Sequence, residues 1–66
     1  MLSARNRFKG KVKYVKLGEI MAEVVVEAGG LEIVAAITRA SAEALALKPG
    51  DIVSAVVKAT EVLIDK

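Results

Sequence analysis

The chain has no cysteine and no histidine, and only 3% of it is aromatic. Without cysteine it can form no disulfide, and without histidine it lacks the commonest zinc and copper ligand as well. The same two absences remove a thiol nucleophile and an imidazole base. The serines therefore have no partner of the kind that activates a hydroxyl, and none lies in a nucleophile-elbow context. The acidic residues are scattered. The pair Glu23/Glu27 has a spacing that could hold a hard cation, but such pairs are more commonly a solvated strand edge. Gly29-Gly30 is followed by no helix and no Gly-Lys-Ser/Thr pattern, so it is not a phosphate loop. The chain reads as non-catalytic. Long apolar runs are missing too. A spanning helix needs roughly 20 consecutive apolar residues, and here the longest runs are broken by Glu23, Glu27, Glu32 and Lys58. The opening Met1-Leu2-Ser3-Ala4-Arg5-Asn6 has no apolar signal-peptide core. The expectation is a cytoplasmic protein with no membrane partner.

What is present is apolar sequence in excess. The 66 residues make one domain, 1–66, and 55% of them are hydrophobic, with a mean hydropathy of +0.50. A domain this short buries only about 60% of the surface its unfolded chain exposes. Small folds need a disulfide, a metal or a partner, and the first two lack their residues. Self-association remains, because surplus apolar surface marks an interface. The formal net charge of +2 is a mild bias toward anionic ligands and falls short of a dedicated nucleic-acid-binding balance.

Turn signals divide the chain into short strands. The first, about Arg7 to Val15, alternates Phe8, Gly10, Val12 and Tyr14 on an inward face with Arg7, Lys9, Lys11 and Lys13 on a basic outer one. Gly10 within it predicts a bulge or sharp coil. After the turn Lys16-Leu17-Gly18-Glu19, a second strand runs from Ile20 to Ala28, where Val24-Val25-Val26 outweighs the helical spacing of Glu23 and Glu27. Gly29-Gly30 makes a hairpin turn into a third strand, Leu31 to Ile37. The period then changes: Ser41 as N-cap, Glu43 in the first turn and Ala42, Ala44, Leu45 and Ala46 predict a turn or two of helix. Lys48-Pro49-Gly50-Asp51 is a further turn, leading to a fourth strand, Ile52 to Ala59, and a last one at Val62-Leu63-Ile64. The expected class is all-β: a five-stranded OB-like barrel with one short helical turn between the third and fourth strands. Strands two to four are apolar on both faces, whereas a closed barrel needs only its inner face apolar. The outer faces are expected to meet another subunit.

The polar residues that remain are donors. Ser3 and Arg5 precede the first strand, Thr38 and Ser41 flank the entry to the helix, and Lys58 with Ala59 closes the fourth strand. Hydroxyls, backbone N–H groups and one or two cations are what a tetrahedral dianion requires. Taken singly, each has a plainer role: Ser41 as a helix cap, Arg5 as a solvated terminal charge, Lys58 as a strand-end lysine. Spacing does not make them converge.

Three segments carry a resemblance. Ser3-Ala4-Arg5-Asn6 with Lys9-Gly10-Lys11-Val12, then Ala36-Ile37-Thr38-Arg39-Ala40-Ser41, then Val57-Lys58-Ala59-Thr60-Glu61-Val62 resemble, in that order, the motifs of the molbindins. These are the small Mop-type molybdate-binding proteins of the TOBE/Mop domain family, and the Lys48-Pro49-Gly50-Asp51 turn fits as well. The resemblance implies an OB-like barrel assembled as a hexamer, a trimer of dimers, binding molybdate or tungstate between subunits with no separate cofactor. Carried over by motif, Ser3, Arg5, Lys58 and the Ala59 backbone come from one subunit and Thr38 and Ser41 from its neighbour. A single such domain, with no helix-turn-helix or ATPase segment, fits storage or buffering. The alternative is an OB-like nucleic-acid-binding protein using Arg7, Lys9, Lys11 and Lys13. Such folds stack bases on aromatic side chains, and the two aromatics here, Phe8 and Tyr14, are expected to face inward.

Overall fold

A computed structural model of the chain describes residues 6–66. Its elements are β1 (Asn6–Leu17), β2 (Met21–Ala28), β3 (Leu31–Thr38), α1 (Arg39–Ala44), β4 (Ile52–Val57) and a 3-10 turn, η1 (Ala59–Glu61). The strands form one antiparallel sheet in the order β3-β2-β1-β4. The chain is an all-β domain, as expected, with four strands. The fifth strand expected at 62–64 is absent from the sheet: the chain leaves β4 through η1, and Val62, Leu63 and Ile64 stay exposed. No helix among the described residues is long and apolar enough to cross a membrane.

β1 organises the sheet because it changes partner along its length. Asn6 to Lys11 pair with β4, and Lys11 to Leu17 pair with β2. The two ladders meet at Lys11, and the preceding residue, Gly10, lies where the β2 backbone comes closest. A Cβ there would run into the Glu27 carbonyl and come within 2.9 Å of the Ala28 Cβ. The ladder to β4 is extended by the predicted turn. Val12 N–H donates to the Asp51 carbonyl (2.9 Å) and Gly50 N–H to the Val12 carbonyl (2.8 Å), while the Asp51 carboxylate accepts from Lys48 N–H (3.0 Å). Gly29 and Gly30 have φ of 55° and 82°. That is the doubly left-handed turn that matches strand twist, and it closes β2 on β3 with Ala28 opposite Leu31.

The core is small. Val12, Val24 and Val26 are buried, with Val15, Ala35, Ile37, Leu47 and Val53 packed against them. One inward assignment is corrected. The β1–β2 register slips between Val12 and Tyr14, leaving Lys13 as the extra residue of a bulge. Alternation inverts beyond it, so Val15 joins the core and Tyr14 lies outside, exposed. Phe8, also expected inward, is 38% exposed. The core is open on one side, where an apolar hollow of 220 Å³ reaches Val12, Val24, Ile37, Leu47 and Val53.

The helix cap is corrected as well. Thr38, not Ser41, is the N-cap of α1, with extended φ and ψ of −70° and 148°. The reason is the sheet: Thr38 still pairs with Met21, so the chain cannot turn before Arg39. At the other end Ala46 N–H donates to the Glu43 carbonyl and Leu47 N–H to the Ala42 carbonyl. This closure puts its middle residue in the left-handed region where glycine is preferred, and Ala46 has φ 50°. Ala46→Gly is therefore expected to stabilise the fold by about 0.5–1 kcal/mol, read as a raised thermal midpoint at fixed protein concentration.

Candidate functional site

Thr38 and Ser41 are brought together by the cap. The Thr38 Oγ1 accepts from Ser41 N–H at 3.1 Å, and the Thr38 hydroxyl donates to the Ser41 Oγ at 2.7 Å. Both residues are exposed. With the Thr38 proton given to Ser41, the Ser41 hydroxyl keeps its own proton for an acceptor in solution. The pair offers a local donor and no carboxylate.

Lys58 and Ala59 form a second group. Lys58 leaves β4 in extended conformation, φ −65° and ψ 136°, and is the N-cap of η1. Its carbonyl accepts from Glu61 N–H at 2.9 Å. The first N–H groups of a helical turn have no acceptor within it, and the Ala59 N–H is the first of η1. Among the described residues Lys58 has no carboxylate partner, since the two ion pairs are Lys13–Glu32 and Arg39–Glu43. Lys58 and Ala59 are thus consecutive, and both are exposed. Ser3 and Arg5 lie outside the described residues.

The structure does not bring these two groups together within one chain. Thr38 pairs with Met21, next to the Leu17 end of β1, whereas Lys58 follows Val57, which pairs with Asn6 at the other end. The 12 residues of β1 separate them.

The basic face of β1 is less basic than its sequence. Lys13 is ion-paired with Glu32, which holds its ammonium pKa above the usual lysine value through that hydrogen bond and charge. Lys11 and Lys16 stand opposite Glu27 and Glu23 in the β2 register. Arg7 and Lys9 stand opposite Val56 and Ser54 in the β4 register, so the acidic neighbours lie only along the β2 half of the strand. The Glu23/Glu27 pair gathers no further ligand: among the described residues no group of three or more acidic side chains could hold a metal ion. Glu23 instead accepts from the Tyr14 hydroxyl at 3.2 Å.

That bond raises the Tyr14 pKa above its ordinary 10.0, first through the hydrogen bond to Glu23 and then through the Glu23 charge, both of which favour the neutral phenol. A raised pKa in the folded state contributes stability that is present below the ordinary tyrosine value and is lost as pH climbs through the folded one. Glu23→Gln is expected to bring the phenolate absorbance transition down in pH, toward the ordinary value. An unmoved transition would rule out Glu23 as the cause.

Sequence reasoning did not single out Arg39. Its backbone N–H and guanidinium reach the Ile20 and Gly18 carbonyls at 2.7 and 3.1 Å. Nothing in its neighbours signals those long-range contacts. Thr38 as cap was legible in principle, since a hydroxyl three residues before the N–H it accepts from is the spacing of a cap.

Comparison with known proteins adds four findings. The family model for the TOBE domain matches residues 2–64. The chain is 50% identical over 64 residues to molybdenum-pterin-binding protein 1 of Clostridium pasteurianum, covering 96% of this chain and 94% of the relative. Among solved structures it is similar to a molybdate binding protein from Sporomusa ovata. The TM-score is 0.94 at 45% identity, over 100% of this chain and 98% of that one. It is also similar to the cytoplasmic molybdate-binding protein ModG with molybdate bound (TM-score 0.84, 47% identity), over 88% of this chain and 42% of that one.

Proposed function

The chain belongs to the TOBE-domain family, with molbindin-type relatives along nearly its whole length, and from that premise we propose that it binds molybdate or tungstate, without catalysis, at the interfaces of a homo-oligomer. The support that weighs most is the 45% identity and full-length structural match to a molybdate binding protein. The chemistry of the donors agrees. In this reading Lys58, the Ala59 N–H, Ser3 and Arg5 of one subunit face Thr38 and Ser41 of another. The two cations offset the dianion's charge, and hydroxyl and amide donors fix its orientation. No carboxylate of the set opposes it. The separation of Thr38 from Lys58 along β1 favours a site built by two chains.

Two apolar features support self-association. At the β1–β2 turn end of the sheet, Leu17, Met21, Val34 and Ala36 line a groove of 460 Å³. At the end of the chain, Leu63 and Ile64 are 92% and 90% exposed. In the assembled protein, a hexamer built as a trimer of dimers, such surfaces are covered, and 62–64 becomes the fifth strand of a completed barrel. The location is cytoplasmic and the role storage or buffering of the oxyanion.

Isothermal titration with molybdate, sulfate serving as competitor, tests the binding, and native mass spectrometry of the same sample gives subunit and ligand number. Molybdate heat that sulfate does not suppress, on an oligomer, is the expected result. No heat at micromolar protein with the oligomer intact would overturn the reading.

A further inference from the structure

The start of α1 is fastened to the β1–β2 turn by one residue. Arg39 N–H donates to the Ile20 carbonyl at 2.7 Å, and Arg39 Nη1 donates to the Gly18 carbonyl at 3.1 Å. On its other side Arg39 Nε faces the Glu43 carboxylate at 3.6 Å, one helical turn along. The turn it grips is itself compact: Gly18 N–H donates to the Met21 carbonyl at 2.8 Å. Arg39 thus lies between Thr38 and Ser41 in sequence while its guanidinium is committed to protein acceptors on either side.

A helix of six residues has no stability of its own, because nucleation is unfavourable and few bonds follow it. Ala42 is its one buried residue. The rigidity of its first turn must come from ties to the rest of the fold, and among the described residues the Arg39 guanidinium makes a side-chain hydrogen bond from α1 to the β1–β2 turn. We propose that Arg39 is a positioning residue for the oxyanion. It clamps the first turn of α1 against the β1–β2 turn, so the Thr38 and Ser41 hydroxyls are held in place before the ligand arrives. This rests on the reading that those hydroxyls hold the oxyanion. Donors fixed in advance lose less freedom on binding, and the gain appears as affinity.

Titration of the full-length wild type, Arg39→Ala and Arg39→Lys with molybdate, alongside amide exchange, tests it. Arg39→Ala is expected to bind roughly three- to tenfold more weakly, the loss of one hydrogen bond's worth of order. The deficit should be the same at about 50 mM and about 500 mM salt, because it does not act through distant charge. Arg39→Lys keeps the charge but not the planar fork, and should fall between the two. In Arg39→Ala the Ser41 amide, whose acceptor is the Thr38 hydroxyl, should exchange faster while the Val25 amide in the middle of the sheet does not change. A general loss of stability would speed both. Wild-type affinity in Arg39→Ala, a deficit that vanishes at high salt, or unaltered Ser41 exchange would each overturn the proposal. If the wild type itself binds no molybdate, the site reading fails, and Ser41 exchange alone still decides whether Arg39 is a clamp.

Discussion

Gly10→Ala is expected to destabilise the fold by about 3 kcal/mol or more. The added methyl would meet the Glu27 carbonyl and the Ala28 Cβ. Neither neighbour can give way cheaply. Glu27 stands in the ladders to both β1 and β3, opposite Lys11 and Glu32, and Ala28 is buried against the hairpin. A flexible side chain could swing aside; a carbonyl held between two strands cannot. Overpacking of this kind costs about 1–3 kcal/mol and more where backbone must move. A domain of 66 residues has roughly 3–10 kcal/mol to lose. The measurement is far-UV circular dichroism with denaturant titration at fixed protein concentration, since stability and assembly are linked in an oligomer. Adding Ala28→Gly should not rescue the variant, because the clash with the carbonyl remains. Gly29→Ala is the control: nothing lies within 4 Å of a Cβ there, so only its positive φ opposes alanine, at about 1 kcal/mol. Equal stability of the two alanine variants would mean that Gly10 and the Glu27 carbonyl do not approach as described.

Gly10 also shows what the sequence made legible and what it did not. A glycine inside an alternating strand points to a coil or bulge. At Gly10 the need for glycine is the close approach of the Glu27 carbonyl, and the bulge falls three residues later, at Lys13. A bulge is a matter of which backbone groups find each other, and no side chain announces it. The consequence was the misplacement of Tyr14; the hint lay in Val15, a second apolar residue immediately after it. The β2–β3 hairpin and the Lys48–Asp51 turn were legible because glycine, proline and aspartate impose local backbone geometry. The segment 62–64 has the composition of a strand, yet a strand exists only against a neighbour, and its neighbour is not specified locally. The site divides in the same way. Donor types at the ends of elements could be read directly. Their separation along β1 could not, because it depends on β1 giving one end to β4 and the other to β2.

That separation allows a decisive experiment on the site. Lys58→Ala removes a cation from one half and is expected to weaken molybdate binding by about 2–3 kcal/mol, the scale of a charge-assisted contact. Ser41→Asp places a carboxylate in the other half, where like charge against a dianion costs several kcal/mol. Each variant alone should form an oligomer with no tight site. Unfolded together in equal amounts and refolded, the two should recover tight binding. If Lys58 comes from one subunit and Ser41 from its neighbour, about one site in four of a random mixture pairs an intact Lys58 with an intact Ser41. Titration should then show about that fraction of the wild-type stoichiometry at wild-type affinity. If both halves served a site within a single chain, every site would carry a defect and the mixture would bind no better than its components. A mixed oligomer, verified by mass spectrometry, without recovered sites would therefore overturn the shared site. Recovery would establish it without a ligand-bound structure, because a site confined to one chain would carry a defect in every copy, and within one chain Thr38 and Lys58 sit at opposite ends of β1.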